Sequence, residues 1–286
     1  MNRFATGVKK NYYGKGDVSV YRLNRQGGGA AGTGIFAANV LILVYGDAFW
    51  PTYTTGDNTG LVATDSMKNF IQRETMNFED DDLESYCRFI GEKFLKTYPQ
   101  TEGAQVSATE IPYRNLDGAG MSFCPGGPEK PTARIEIVRE GPSLAIAEAT
   151  SGLVGFKLLR LTGSSFTGFV RDQYTTLPDT ADRPLHMWLD LDWTYTDAMA
   201  AFSEGATTKK VRELVHDIFE QFTSGSIQQI IYQIGCKVLV EIPSIAEISL
   251  EANNRTWDAV VSDGGPMALY TDPRPPYGCL GLTLRR

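Results

Sequence analysis

At 286 residues the chain is long enough for two domains of ordinary size, and 27 Lys and Arg against 34 Asp and Glu give it a net charge of -7. That acidic balance, with no basic run, argues against a nucleic-acid backbone as partner. The four cysteines, Cys87, Cys124, Cys236 and Cys279, show no CxxC spacing, and with only His186 and His216 beside them the residues argue against a zinc site as well. Cys87 and Cys236 fall on apolar helix faces and are expected as buried, reduced thiols. The opening MNRFATGVKKNYYGKG lacks the apolar core of a signal peptide, no apolar run reaches membrane-spanning length, and LTLRR is no peroxisomal address. A soluble cytoplasmic protein is expected.

In chain order, Asp17 to Leu23 alternates as a strand, with Val18 and Val20 against Ser19 and Tyr21, and Phe36 to Tyr45 is a more continuously apolar second strand. The GGGAAGTG run between them reads as a hairpin loop: no Gly-Lys-Ser/Thr follows, and it leads into a strand instead of a helix. A long loop, Phe49 to Gly60, precedes a helix with capping residues Thr64, Asp65 and Ser66 and an inward face of Met67, Phe70 and Ile71. Asp80 to Asp82 starts another, with Leu83, Tyr86, Cys87, Ile90, Phe94 and Leu95 at helical spacing, so the acidic run Glu79 to Asp82 reads as a helix start and not a metal site.

Strands follow at about Ala104 to Arg114 and Ala133 to Val138, separated by a Gly/Pro-rich loop at Gly118 to Pro131. The second half repeats the order. Strands near Ala145 to Glu148, Gly155 to Thr162 and Pro184 to Tyr195 precede helices at Lys209 to Phe222 and from the Ser224 to Ser226 cap onward, then strands at Ile242 to Glu251 and Cys279 to Leu284. Each half is thus strand pair, helix pair, strand pair, which predicts an α+β fold with antiparallel sheets and the helices on one face. Such a sheet leaves edges, and closing sheets into a barrel between copies removes them.

Thr162 to Arg183, TGSSFTGFVRDQYTTLPDTADR, mixes aromatics, arginines and hydroxyls too densely for a plain strand or loop. Phe166, Phe169 and Tyr174 offer flat faces and Arg171 and Arg183 planar forks, a set that suits a flat, hydrogen-bonding anion. From the residues alone, a hairpin with core-facing aromatics and surface ion pairs is the simpler reading.

Several segments together resemble the urate oxidase family, the cofactor-free uricases. They are YGKGDVSVYRL at Tyr13 to Leu23, DNTGLVATDSMKN at Asp57 to Asn69, the run from Ser151 to Arg183, GSIQQIIY at Gly225 to Tyr232, NNRTWD at Asn253 to Asp258 and YTDPRPPYG at Tyr270 to Gly278. The resemblance implies two tandem tunnelling-fold (T-fold) ββααββ domains, here residues 1–141 and 142–286, with dimers closing a barrel and two dimers stacking into a homotetramer. It implies oxidation of urate by O2 and water to 5-hydroxyisourate and hydrogen peroxide, with no metal, flavin or haem, in a site between subunits.

By motif, the resemblance places Lys15 and Thr64 as the proton-relaying pair, Phe166 as the stacking ring, and Arg183 and Gln228 on the polar edge of urate. It adds backbone contacts from Asp65 and Ile227. Fungal and animal-type members carry Asn-Lys-His where this chain is taken to have Asn253, Asn254 and Arg255, so the histidine is absent. By register Asn253 takes the place of the family's Asn that contacts the oxygen or water above the ring, with Asn254 the alternative if the strand slips by one residue; only one can face the site, because adjacent strand residues point to opposite faces. Arg255 cannot accept a proton; near the pair it would favour a neutral Lys15. His186 reads as structural.

Two rivals stand beside this reading. A T-fold pterin or GTP enzyme of the zinc-dependent kind needs a His-rich ligand set that two histidines cannot supply. A catalytically impaired purine-binding or structural T-fold oligomer draws its support from the missing histidine.

Overall fold

Alternating apolar residues make the strands, and a 3.6-residue apolar repeat makes the helices that cover them. The computed structural model describes residues 11–25, 34–116, 121–202, 207–262, 267–272 and 275–286. The expected GGGAAGTG hairpin loop lies outside them. The described residues divide into two units. One holds those through Gly127 with Pro131–Ser151 and residues 201–202; the other holds Pro128–Lys130, Gly152–Ala200 and the described residues from Thr207 onward.

In the first unit, β1 (Tyr13–Leu23) and β2 (Ile35–Tyr45) are followed by the short α1 (Trp50–Thr54), then α2 (Thr64–Glu74) and α3 (Leu83–Thr97). Then come β3 (Gly103–Glu110), the small pair β4 (Tyr113–Asn115) and β5 (Phe123–Pro125), and β6 (Lys130–Glu140). β7 (Ser143–Arg160) starts in this unit and ends in the other. The strand order is β1-β2-β3-β6-β7, with antiparallel pairing through β1, β2, β3 and β6 and with β1 at the edge among the described residues. Val40, Ile42, Val44, Val106, Ile135 and Ile137 are fully buried on the face that meets Tyr86, Ile90 and Phe94 of α3. Asp82 caps α3 by accepting the Ser85 N–H at 2.7 Å, as the acidic run predicts.

In the second unit, the end of β7 is followed by β8 (Leu185–Tyr195), α4 (Thr207–Gln221), α5 (Ile227–Glu241) and β9 (Ile245–Asn254). The small pair β10 (Ala259–Val261) and β11 (Leu269–Tyr270) precedes β12 (Gly278–Arg285). The order β7-β8-β9-β12 makes β12 an edge, antiparallel to β9. Trp193, Ile248 and Leu250 pack with Val211, Val215, Ile230, Ile231 and Ile234 in one core, and each such side chain contributes about 1.5–3 kcal/mol by leaving water.

The two units share a detail beyond element order. α3 and α5 both run 15 residues, and each carries glycine at its ninth position, Gly91 and Gly235. A Cβ on Gly91 would meet Ile137 Cδ1 at 2.4 Å, and one on Gly235 would meet Leu284 Cδ1 at 2.7 Å. In both units a side chain at that point would have to displace a terminal methyl of the sheet, that of Ile137 or of Leu284.

Three expectations are revised. The strands expected at Ala145 to Glu148 and Gly155 to Thr162 are one 18-residue strand, β7, because the buried run Ala149–Leu153 continues the pairing and Gly155 absorbs a φ of 81° within it. The Phe49–Gly60 loop contains α1, with Pro51 in its first turn. Cys87 is buried as expected, but Cys236 is only half-buried, and all four cysteines are free. Among the described residues no helix is long and apolar enough to cross a membrane, and no group of three His, Cys, Asp or Glu could hold a metal ion.

Candidate active site

The hairpin between β7 and β8 is held by hydrogen bonds that its sequence makes with itself and with the α4–α5 connection. Phe166 and Thr180 exchange backbone bonds at 2.8 and 3.0 Å, closing it across its width. At its base the Asp182 carboxylate accepts the Gly163 N–H at 2.7 Å, the Ser164 N–H at 3.2 Å and the Thr162 hydroxyl. Arg160 joins base to helices: it donates to the Phe219 and Phe222 carbonyls at 2.8 and 2.6 Å, to Gly163 O at 2.8 Å and to Ser224 Oγ at 3.1 Å. Arg160 thus ties the base of the hairpin to the last turn of α4 and to the α4–α5 connection.

Inside that frame lies a cavity of about 140 Å³. Phe166, Leu177, Ile227 and Leu280 form its apolar wall, Arg183, Gln228, Asn254 and Thr256 are its polar side chains, and Gly278 completes the rim. The Arg183 guanidinium carbon lies 5.6 Å from the Phe166 ring centroid, and Phe166 in turn stacks on Phe169 at 4.9 Å. Among the described residues the Arg183 side chain makes no ion pair and its buried Nε has no hydrogen-bond partner. Burial alone pushes the Arg183 pKa down, with no neighbouring anion to oppose it. At the start of α5 the Ser226 hydroxyl caps the Gln229 N–H, leaving the first-turn N–H groups of Ile227 and Gln228 outside the helix's own bonding.

The first unit shows what a satisfied version looks like. Arg22 also lies over a phenylalanine, 5.3 Å from the Phe36 centroid, beside a cavity at the start of its second long helix. There the guanidinium donates to Asp81 Oδ1 at 2.7 Å and to Asp80 O at 2.8 Å. Arg22 is spent on its own chain, while Arg183 is open to an anion.

The register expected from the motif gave the place to Asn253; the pleat gives it to Asn254. Asn254 stands opposite Met187, which is fully buried on the helix face, and lines the cavity. Asn253 stands opposite Trp188 on the other face and does not line it. Arg255 is also turned away: its guanidinium carbon lies 3.9 Å from the ring centroids of both Trp188 and Tyr277. Thr256 thus brings the next side chain to the cavity, a residue that sequence reasoning missed by one position. His186 accepts the Trp257 indole N–H at 2.7 Å on Nδ1, and burial, aided by Arg255 and Lys157, lowers its pKa. That is a structural role, as expected.

Lys15, Thr64 and Asp65 belong to the first unit. Lys15 pairs with Ile42 and Val18 with Val40, so two residues of β1, Gly16 and Asp17, oppose one of β2. Asp17 takes a φ of 57° there, its carboxylate accepting from the Asn39 amide at 2.7 Å. This bulge turns Lys15 to the side of Ile42 and Val18, the face that carries α2; a regular strand would have put it on the opposite one. Among the described residues Lys15 and Thr64 are not hydrogen-bonded to each other or to other side chains. Ala63, not Thr64, occupies the N-cap of α2, so the Asp65 N–H carries no side-chain cap. The Asp65 carboxylate binds Lys68 at 2.6 Å and Asn69 at 2.9 Å, and its pKa is lowered chiefly by Lys68, with Lys15 a smaller contribution.

The family model described as Uricase matches residues 11–136 and again residues 149–278. The chain belongs to the uricase family. It is 37% identical to the uricase of Haloferax volcanii over 96% of this chain and 97% of that protein. It is 32% identical to the uric acid degradation bifunctional protein PucL of Bacillus subtilis, of which it spans 60%. The crystal structure of urate oxidase from Bacillus sp. TB-90 superposes with a TM-score of 0.87 at 33% identity, over 96% of this chain and all of that one.

In this uricase-family hairpin, Asp182 gives a pH-dependent test. Its pKa is lowered, mainly by the Thr162 hydroxyl and then by the Gly163 and Ser164 N–H groups. A depressed folded pKa adds stability that is fully present above the unfolded value, about 3.9, and is lost as the pH falls through the folded one. Asp182→Asn is therefore expected to lower Tm at pH 6 to 8, with the gap to the native chain closing below about pH 4. A gap unchanged down to pH 3 in thermal melts would contradict the clasp.

Proposed function

We propose that this chain oxidises urate with O2 and water to 5-hydroxyisourate and hydrogen peroxide. The observation that carries the reading is Arg183: a half-buried guanidinium over an aromatic ring, unpaired among the described residues, facing Gln228 in a cavity of a uricase-family fold. Its fork can give two parallel donors to the carbonyl and ring nitrogen of an anionic purine, while the Gln228 amide meets the remaining edge. Phe166 stacks beneath the ring. The first-turn N–H groups of Ile227 and, on α2, of Asp65 are suited to ligand heteroatoms.

Lys15 and Thr64 supply the chemistry in this reading. Urate must lose a further proton before it can give electrons to oxygen, and the Lys15 amine takes it, relayed through the Thr64 hydroxyl. Asn254 holds the oxygen or water above the ring, in preference to Asn253. No metal, flavin or haem takes part: the substrate dianion is the reductant, and the protein creates it and orients it.

The assembly proposed is a homotetramer of two tandem T-fold domains, residues 1–141 and 142–286. The edge strands β1 and β12 each present unpaired backbone, which pairing between copies into a closed barrel satisfies. Lys15, Thr64 and Asp65 then come from one subunit and Phe166, Arg183, Ile227 and Gln228 from its neighbour. The site of action proposed is the cytoplasm, with urate and O2 as the only small-molecule partners.

The test is urate consumption followed by absorbance, with peroxide measured in the same sample, after chelator treatment and with no added cofactor. Equimolar loss of urate and gain of peroxide is expected. Urate binding without turnover would overturn the enzymatic reading in favour of a purine-binding or structural oligomer, and a requirement for added metal or flavin would overturn the cofactor-free one.

A further inference from the structure

The cavity contains one side-chain hydroxyl among its described lining residues, that of Thr256, and the proposed reaction does not yet use it. Arg183 can only donate hydrogen bonds. The Gln228 and Asn254 amides donate from one end and accept at the other, and exchanging the two ends needs a flip of the whole group. A hydroxyl differs from both, because rotation about one bond converts it from donor to acceptor in place.

That property matches a specific demand of the proposed chemistry, on whose assignment this inference rests. Two different small molecules must be held beside the ring in turn. Oxygen and the peroxide formed from it need a donor; the water that follows needs an acceptor for one of its protons while its oxygen approaches the ring. Thr256 is exposed at the edge of the cavity, and the chain beside it is pinned. The Arg255 N–H donates to the His186 carbonyl at 2.9 Å, and the Arg255 side chain is clasped between Trp188 and Tyr277. With Asn254 before it in the cavity wall and Arg255 anchored away from it, Thr256 lines the cavity at its solvent-exposed side.

We infer that Thr256 is a catalytic residue of this chain, its hydroxyl donating to oxygen and then accepting from the water that replaces it beside the bound purine. The test compares Thr256→Val, which keeps the shape and deletes the hydroxyl, with Thr256→Ser, which keeps the hydroxyl. Loss of one hydrogen bond in the reacting complex corresponds to roughly a tenfold fall in kcat for T256V, with KM within about threefold, and T256S is expected within about threefold of the native kcat. A T256V enzyme with native kcat, a T256S enzyme as impaired as T256V, or a loss confined to KM would each overturn the inference. The native enzyme in the same assay separates the two levels. If it oxidises urate and T256V matches it, only the role of Thr256 falls; if it does not oxidise urate, the proposed function falls and this role with it.

Discussion

Lys15→Met is expected to lower kcat for urate by a factor of about 10²–10⁴, the usual worth of a general base, while leaving urate affinity within a few-fold. Methionine keeps the length and most of the bulk of lysine, so what is removed is the amine. The expectation follows from where the β1 bulge places the side chain. It lies on the helix-bearing face, near enough to the start of α2 to contribute to lowering the Asp65 pKa, and among the described residues no carboxylate is paired with it. Steady-state kinetics with an independent binding measurement settle the matter. A variant that turns over within a few-fold of the native rate would show that the base lies elsewhere.

Arg183 should give the opposite separation, between folding and binding. Its guanidinium is half-buried and without a carboxylate among the described residues, so the ligand-free fold bears the cost of keeping it there. Arg183→Met is expected to leave Tm unchanged or raised, yet to weaken urate binding by about 2–5 kcal/mol, the range for losing a buried charge-assisted pair. Arg183→Lys keeps the charge and loses the fork, and most of that loss in kcat/KM is expected to remain. Thermal melts and urate titration read the two effects on the same samples. If Arg183→Met lost stability while binding was retained, the residue would be a structural prop and the cavity not the purine site.

Much of this site was legible in the residues. Phe166, Arg183, Ile227 and Gln228 were named from motifs, and the fold brings all four to one cavity although 62 positions separate the first from the last. The start of α3 at Asp82 and of α5 at Ser226 followed from capping chemistry, which is local and therefore readable. Thr256 was not readable. Its neighbours Asn253, Asn254 and Arg255 are all polar, and a strand end with no apolar alternation carries no signal of which side faces in. The single strand β7 was missed because the small residues at its middle look like a turn until their burial is known. Lys15 was named by motif, but the bulge that aims it leaves only the mark of Gly16 and Asp17, a pair that reads as an ordinary turn.

Composition, period and capping were enough to determine the α+β class, the repeated order of strand and helix pairs, and which faces are apolar, since these depend on residues a few positions apart. What needed the tertiary structure was every choice between equals: Asn254 over Asn253, Thr256 over Arg255, and an open Arg183 against an Arg22 already paired with Asp81. Those choices turn on strand register and on which charges meet across the chain. A one-residue shift reverses a strand's faces while leaving its local pattern intact, and contacts between distant segments leave no trace in either segment alone.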